Sequence, residues 1–148
     1  MNKKTLLDRL KSQGKITKEE YLFLLGEDLK SKVDMEIERS MREDKDGYIG
    51  FDADTCVRVM KELDWKWAGE NVDVDKFVDT LKSYSYDVAK NLLEEIVDKN
   101  VNECDYFVES GGIKVEGHLE IIDGKKHIVI SPKFILEQDS FEICIDSI

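Results

Sequence analysis

Helical spacing over the first two thirds of the chain, followed by period-two alternation, predicts an α+β protein. N-terminal helices and a long amphipathic helix should pack on a small antiparallel β-meander. Three observations carry this expectation. Val74, Phe77, Val78, Leu81, Tyr84, Val88, Ala89, Leu92, Leu93, Ile96 and Val97 recur at helical spacing, which puts them on one core-facing stripe. Ile113, Val115, Leu119 and Ile121 alternate with Lys114, Glu116, His118 and Glu120, the pattern of a half-buried strand. Asp123-Gly124 then separates this run from HIVIS at 127–131, and a two-residue type I′ hairpin turn needs residues that tolerate positive φ.

From the N-terminus, Leu6, Leu7 and Leu10 form an apolar turn, Gly14 interrupts it, and Thr17-Lys18-Glu19-Glu20 opens a second helix. Thr17 and Glu20 have the spacing of a capping box, with Ile16 and Tyr21 placed as its hydrophobic staple. Tyr21, Leu24, Leu25, Leu29, Val33, Met35 and Ile37 continue the helical spacing, with Gly26 a weak point. LLDRLKSQGKITKEEYLFLL at 6–25 resembles the two-helix SHOCT-type module. That resemblance implies oligomerisation or docking, and therefore an interaction module at 1–40 ahead of an α+β main domain at 41–148.

In the middle, Val57, Met60 and Leu63 predict a short amphipathic helix after Asp54, and Asp73 is the expected N-cap of the long one. Gly111-Gly112 reads as a bulge or a tight strand start, since it lacks the lysine and following helix of a phosphate loop. Gly117 is a weakness within its strand, Pro132 should end the next, and FEICI at 141–145 can add another. MKELDWKW, the Val-Asp-Val-Asp helix start and YFVESGGIKVEG together resemble a loose family of small uncharacterised proteins encoded by phages and other mobile elements. Ile113 stands where those proteins usually carry an aromatic residue. The resemblance spans 58–122 and implies a mobile-element origin with an accessory or antagonist role.

Charge narrows the function classes. The 148 residues carry a net −11. Residues 1–40 hold nine bases against eight acids, so the remainder, with 13 bases and 25 acids, stands at −12. Phosphate affinity comes from Lys and Arg, so direct nucleic-acid binding is disfavoured, whereas a basic protein surface is attracted. No apolar run approaches the roughly 18 residues of a membrane span, and MNKKTLLDRLKSQG lacks the apolar centre of a signal peptide. A cytoplasmic protein without a membrane partner is expected, in the host cell if phage-encoded. Cys56, Cys104 and Cys144 are odd in number and widely spaced, which fits thiols in a reducing compartment.

Two stretches invite a metal reading. EDKDGYIGFDAD at 43–54 aligns Gly47 with the sixth position of an EF-hand loop, but Arg42 then stands at the first and Ala53 at the twelfth, where coordinating carboxylates belong. It is better read as an acidic turn. In the hairpin, a two-residue Asp123-Gly124 loop sets His118 opposite Val129 and Glu120 opposite His127. His118, His127 and Glu120 then share a face on which zinc is an alternative cofactor, and a small metal-binding protein or metal-dependent enzyme is an alternative function. A register change of one residue would separate the histidines.

No nucleophile elbow or cysteine–histidine motif appears in the sequence, so no catalytic residue is named. The leading expectation is a non-enzymatic, acidic phage or mobile-element protein, without a cofactor. It would bind and inhibit a host nucleic-acid-handling protein, most concretely as an anti-CRISPR inhibitor of a Cas nuclease. The contact residues expected are Glu43, Asp44, Asp46, Asp52, Asp54, Trp65, Trp67, Glu116 and Glu120. A structural adaptor that forms a homo-oligomer through its N-terminal helices is a further alternative.

Overall fold

The computed structural model describes residues 2–42, 74–110, 113–133 and 141–147. Among them are the helices α1 (Lys3–Ser12), α2 (Lys18–Arg42) and α3 (Val74–Lys99). The strands β1 (Asp105–Ser110), β2 (Ile113–Ile122), β3 (Lys125–Lys133) and β4 (Phe141–Cys144) follow, and a 3₁₀ turn spans Ile145–Ser147. The strands form one antiparallel sheet in the order β1-β2-β3-β4. This is the α+β meander that the two periodicities predict.

Side-chain caps start the first two helices. Asn2 Oδ1 accepts from the Thr5 amide at 2.9 Å, satisfying a donor that α1 cannot satisfy internally. Thr17 Oγ1 accepts from the Glu20 amide while Glu20 Oε1 accepts from the Thr17 amide, each at 3.1 Å. The capping box is therefore formed, and Tyr21 behind it is buried. The chain turns between α1 and α2 at Gly14, whose φ of +71° suits glycine.

On α2 the buried hydrophobic side chains are Tyr21, Leu25, Leu29, Val33 and Ile37, one every fourth position. Met35, which the sequence pattern assigns to this stripe, is instead 64% exposed, because it lies about 200° around the helix from both Val33 and Ile37. From Val78 onward the long stripe of α3 lies inward as expected, with Leu81, Val88, Ala89 and Leu92 fully buried. Lys18 pairs with Asp98, and Lys82 with Glu38. The start of α2 thus meets the end of α3 and the reverse, an antiparallel pair. Leu7 of α1, the α2 and α3 stripes and the inner side chains of the sheet belong to a single buried cluster. Each fully buried Leu or Ile in it contributes about 1.5–3 kcal/mol.

Two strand expectations change. Gly117 is a packing requirement rather than a weakness: a Cβ there would lie 2.3 Å from Val88 Cγ1 and 2.9 Å from Leu92 Cδ1. Only glycine lets α3 lie this close to β2. Pro132 does not end β3, which continues to Lys133 with Pro132 opposite Val115. Counting from the Asp123-Gly124 turn, residue 132 falls at a position whose N–H would point away from β2. The β3–β4 pairing already stops at Ile130 opposite Phe141, so the missing donor costs no ladder bond. The short helix expected at 57–63, the Asp73 cap and Gly111-Gly112 lie outside the described residues, as does the acidic turn at 43–54.

Candidate functional site

The Asp123-Gly124 turn sets the geometry of the sheet face turned away from α3. Asp123 and Gly124 have φ of 53° and 77°, the two positive values a type I′ turn demands. The register follows: His118 stands opposite Val129 and Glu120 opposite His127, as the loop length predicts. Leu119 and Ile128 fill the alternate positions and are buried toward α3. Glu116, His118, Glu120 and His127 therefore share the outer face.

Their side chains are engaged locally. His118 Nε2 lies 3.0 Å from Glu120 Oε1, and Glu116 Oε1 lies 3.0 Å from Lys114 Nζ. His127 faces Glu120 on one side and Cys144 on the other, and its buried Nδ1 has no hydrogen-bond partner among the described residues. Although the predicted register is present, no group of three or more His, Cys, Asp or Glu side chains gathers as a metal site among the described residues. His118 and His127 share a face without converging. Cys104 and Cys144 are not in disulfides. Burial, with help from the carboxylates of Glu95 and Asp105, pushes the Cys104 thiol above its ordinary value, which keeps it protonated and unreactive at neutral pH.

The sheet adds residues that the sequence reading missed. Ser110 stands opposite Ile113, which brings Asp105 opposite His118, Phe107 opposite Glu116 and Glu109 opposite Lys114. Across the sheet, Glu142 stands opposite Val129. Asp105, Glu109, Glu116, Glu120 and Glu142 thus lie on one face. Phe107 stands among them 58% exposed, with Lys114 Nζ 4.8 Å from its ring centroid. The sequence marks β1 only weakly, through Tyr106 and Val108 alternating with Phe107 and Glu109. Beyond β4, Glu36 and Arg39 of α2 help to line a hollow of about 430 Å³ with His118, Glu120 and Glu142.

Of the residues predicted to meet a partner, Glu116 and Glu120 are placed on this face. Glu43, Asp44, Asp46, Asp52, Asp54, Trp65 and Trp67 lie outside the described residues. On α2, Phe23 and Met35 are both exposed, but they lie about 120° apart around the helix axis and form no common apolar stripe. No helix among the described residues is long and apolar enough to cross a membrane. Comparison with protein-family models, with curated proteins and with solved structures finds no match to this chain.

Proposed function

We propose that this chain is a non-enzymatic binding protein of phage or mobile-element type. It presents acidic surface to the basic residues of a host nucleic-acid-handling protein, most concretely a CRISPR nuclease that it inhibits in the host cytoplasm. The observation that carries this reading is the outer sheet face, which gathers Asp105, Glu109, Glu116, Glu120 and Glu142 and exposes the ring of Phe107 beside the first three of them. An exposed aromatic flanked by carboxylates suits a partner surface rich in arginine and lysine. The net charge of −11 steers such a partner from a distance and turns nucleic acid away.

The test is a cleavage and binding assay with purified CRISPR nucleases, with the full chain and with a variant carrying Asp105→Asn, Glu109→Gln, Glu116→Gln and Glu120→Gln. The full chain should bind, compete with DNA and weaken as salt rises, because screening shortens the reach of surface charges. The variant should lose at least tenfold in affinity. Unaffected cleavage across the panel, or inhibition that survives the four substitutions, would overturn the proposal.

A further inference from the structure

At the opposite end of the sheet from Phe107, a cavity of about 550 Å³ lies between α1, the start of α2, the end of α3, the β2–β3 turn and the C-terminal 3₁₀ turn. That volume is within the roughly 300–1,000 Å³ of small-molecule sites. Its floor is apolar, built from Leu93, Ile96 and Ile145, which are 1%, 8% and 1% exposed. Its charged lining is Lys4, Lys11 and Lys126 against Asp8 and Asp146, a basic excess within a chain of net −11. Other cavities among the described residues lean the other way. The groove between α2 and α3 carries Glu19, Glu27 and Glu94 against Lys30 and Lys90.

The pairing inside the cavity decides which charges are available. Lys4 Nζ lies 2.9 Å from Asp8 Oδ2 and 3.4 Å from Asp146 Oδ1. The second oxygen of Asp8 accepts from the Tyr21 hydroxyl at 2.5 Å, and that of Asp146 from the Lys126 amide at 2.9 Å. Both carboxylates are therefore fully engaged. Lys11 and Lys126 make no ion pair among the described residues. Lys11 Nζ sits 5.0 Å from the Tyr21 ring centroid, and Lys126 Nζ donates to the neutral Asn100 Oδ1 at 3.0 Å and Val101 carbonyl at 3.1 Å. These two acceptors just beyond α3 fix where Lys126 points. The Asp146 carboxylate acts on its charge only at longer range, and one of three N–H donors is left unused.

We infer that this cavity binds a small organic anion, its apolar body on the Leu93, Ile96 and Ile145 floor and its carboxylate, sulfonate or phosphate head between Lys11 and Lys126. Two ammonium groups that make no ion pair among the described residues, beside an apolar floor, favour such a ligand over either a neutral apolar molecule or a bare inorganic ion. The apolar ligand leaves the charges unmatched, and the bare ion leaves the floor uncovered.

Fluorescence titration of the full chain tests this with two probes of nearly identical body, anilinonaphthalene sulfonate and the uncharged N-phenylnaphthylamine. The sulfonate should saturate a single site and bind about tenfold more tightly than the neutral probe, a difference of about 1.4 kcal/mol. Replacing both lysines, Lys11→Met with Lys126→Met, should erase that preference and leave the neutral probe unchanged. Amide chemical shifts recorded on the unsubstituted chain keep the test independent of how the variant folds. Under the sulfonate they should move at Tyr21, Asn100 and Lys126. Equal binding of the two probes, no saturable binding, or shifts centred on the groove between α2 and α3 would each overturn the inference.

Discussion

Tyr21 of α2 donates its phenolic hydrogen to Asp8 Oδ1 of α1 across 2.5 Å, fastening the first helix to the second. Tyr21 is only 3% exposed. Burial first, and then the Asp8 carboxylate, push its pKa well above the ordinary 10.0. A phenol that resists ionisation in the folded state stabilises the fold below the unfolded pKa and loses that contribution as pH rises beyond it. Tyr21→Phe should therefore cost about 1.5–3 kcal/mol at neutral pH, the range for hydrogen bonds to charged groups. The gap between the two proteins should narrow above about pH 10. Urea unfolding of both from pH 7 to 11 measures it; a gap constant with pH would refute the linkage.

Asp146 gives the opposite sign. Burial alone would raise its carboxyl, but the Lys126 amide and the nearby charge of Lys4 outweigh burial and hold it below its ordinary 3.8. Its stabilisation is present above that value and disappears as pH falls through the lowered one. Asp146→Asn should cost about 1 kcal/mol at pH 7, and the difference from the parent should begin to shrink below about pH 4 and vanish once the pH has passed the lowered value. Chemical denaturation across that window decides the matter.

Ser85 lies in the buried stripe of α3, and its hydroxyl has no partner among the described residues. An unsatisfied buried oxygen carries its desolvation cost without return, so Ser85→Ala should stabilise the fold by about 1 kcal/mol or more. A melting temperature unchanged or lowered by this substitution would mean that the hydroxyl has a partner after all.

Gly117 makes the sharpest packing prediction. Even Gly117→Ala places a methyl group 2.3 Å from Val88 Cγ1, and the helix must retreat from the sheet to admit it. A loss of about 1–3 kcal/mol is expected, as for other overpacked cores. The double variant Gly117→Ala with Val88→Ala should recover part of it, because the clash is with the Val88 side chain rather than with backbone.

The sequence by itself determined what repeats at a short period. Helical spacing delimits the buried stripes of α2 and α3, Thr17 and Glu20 announce their own cap, and the two residues Asp123-Gly124 place Glu120 opposite His127. Each of these depends on residues a few positions apart, whose geometry the backbone imposes locally. The outer face was legible in part, with Glu116, His118, Glu120 and His127 following from the one turn.

Only the tertiary structure decided the rest. Asp105, Glu109 and Glu142 join that face through the pairing of β1 and β4. Whether two histidines sharing a face also converge on a metal depends on side-chain directions that register leaves open. Gly117 looked weak and Pro132 looked terminal because a residue's local preference says nothing of what lies above it or which side its N–H faces. The basic cavity brings Lys11, Lys126 and Asp146 together from three distant parts of the chain. No spacing rule relates them; packing of α1 against the 3₁₀ turn and of α3 against the hairpin does.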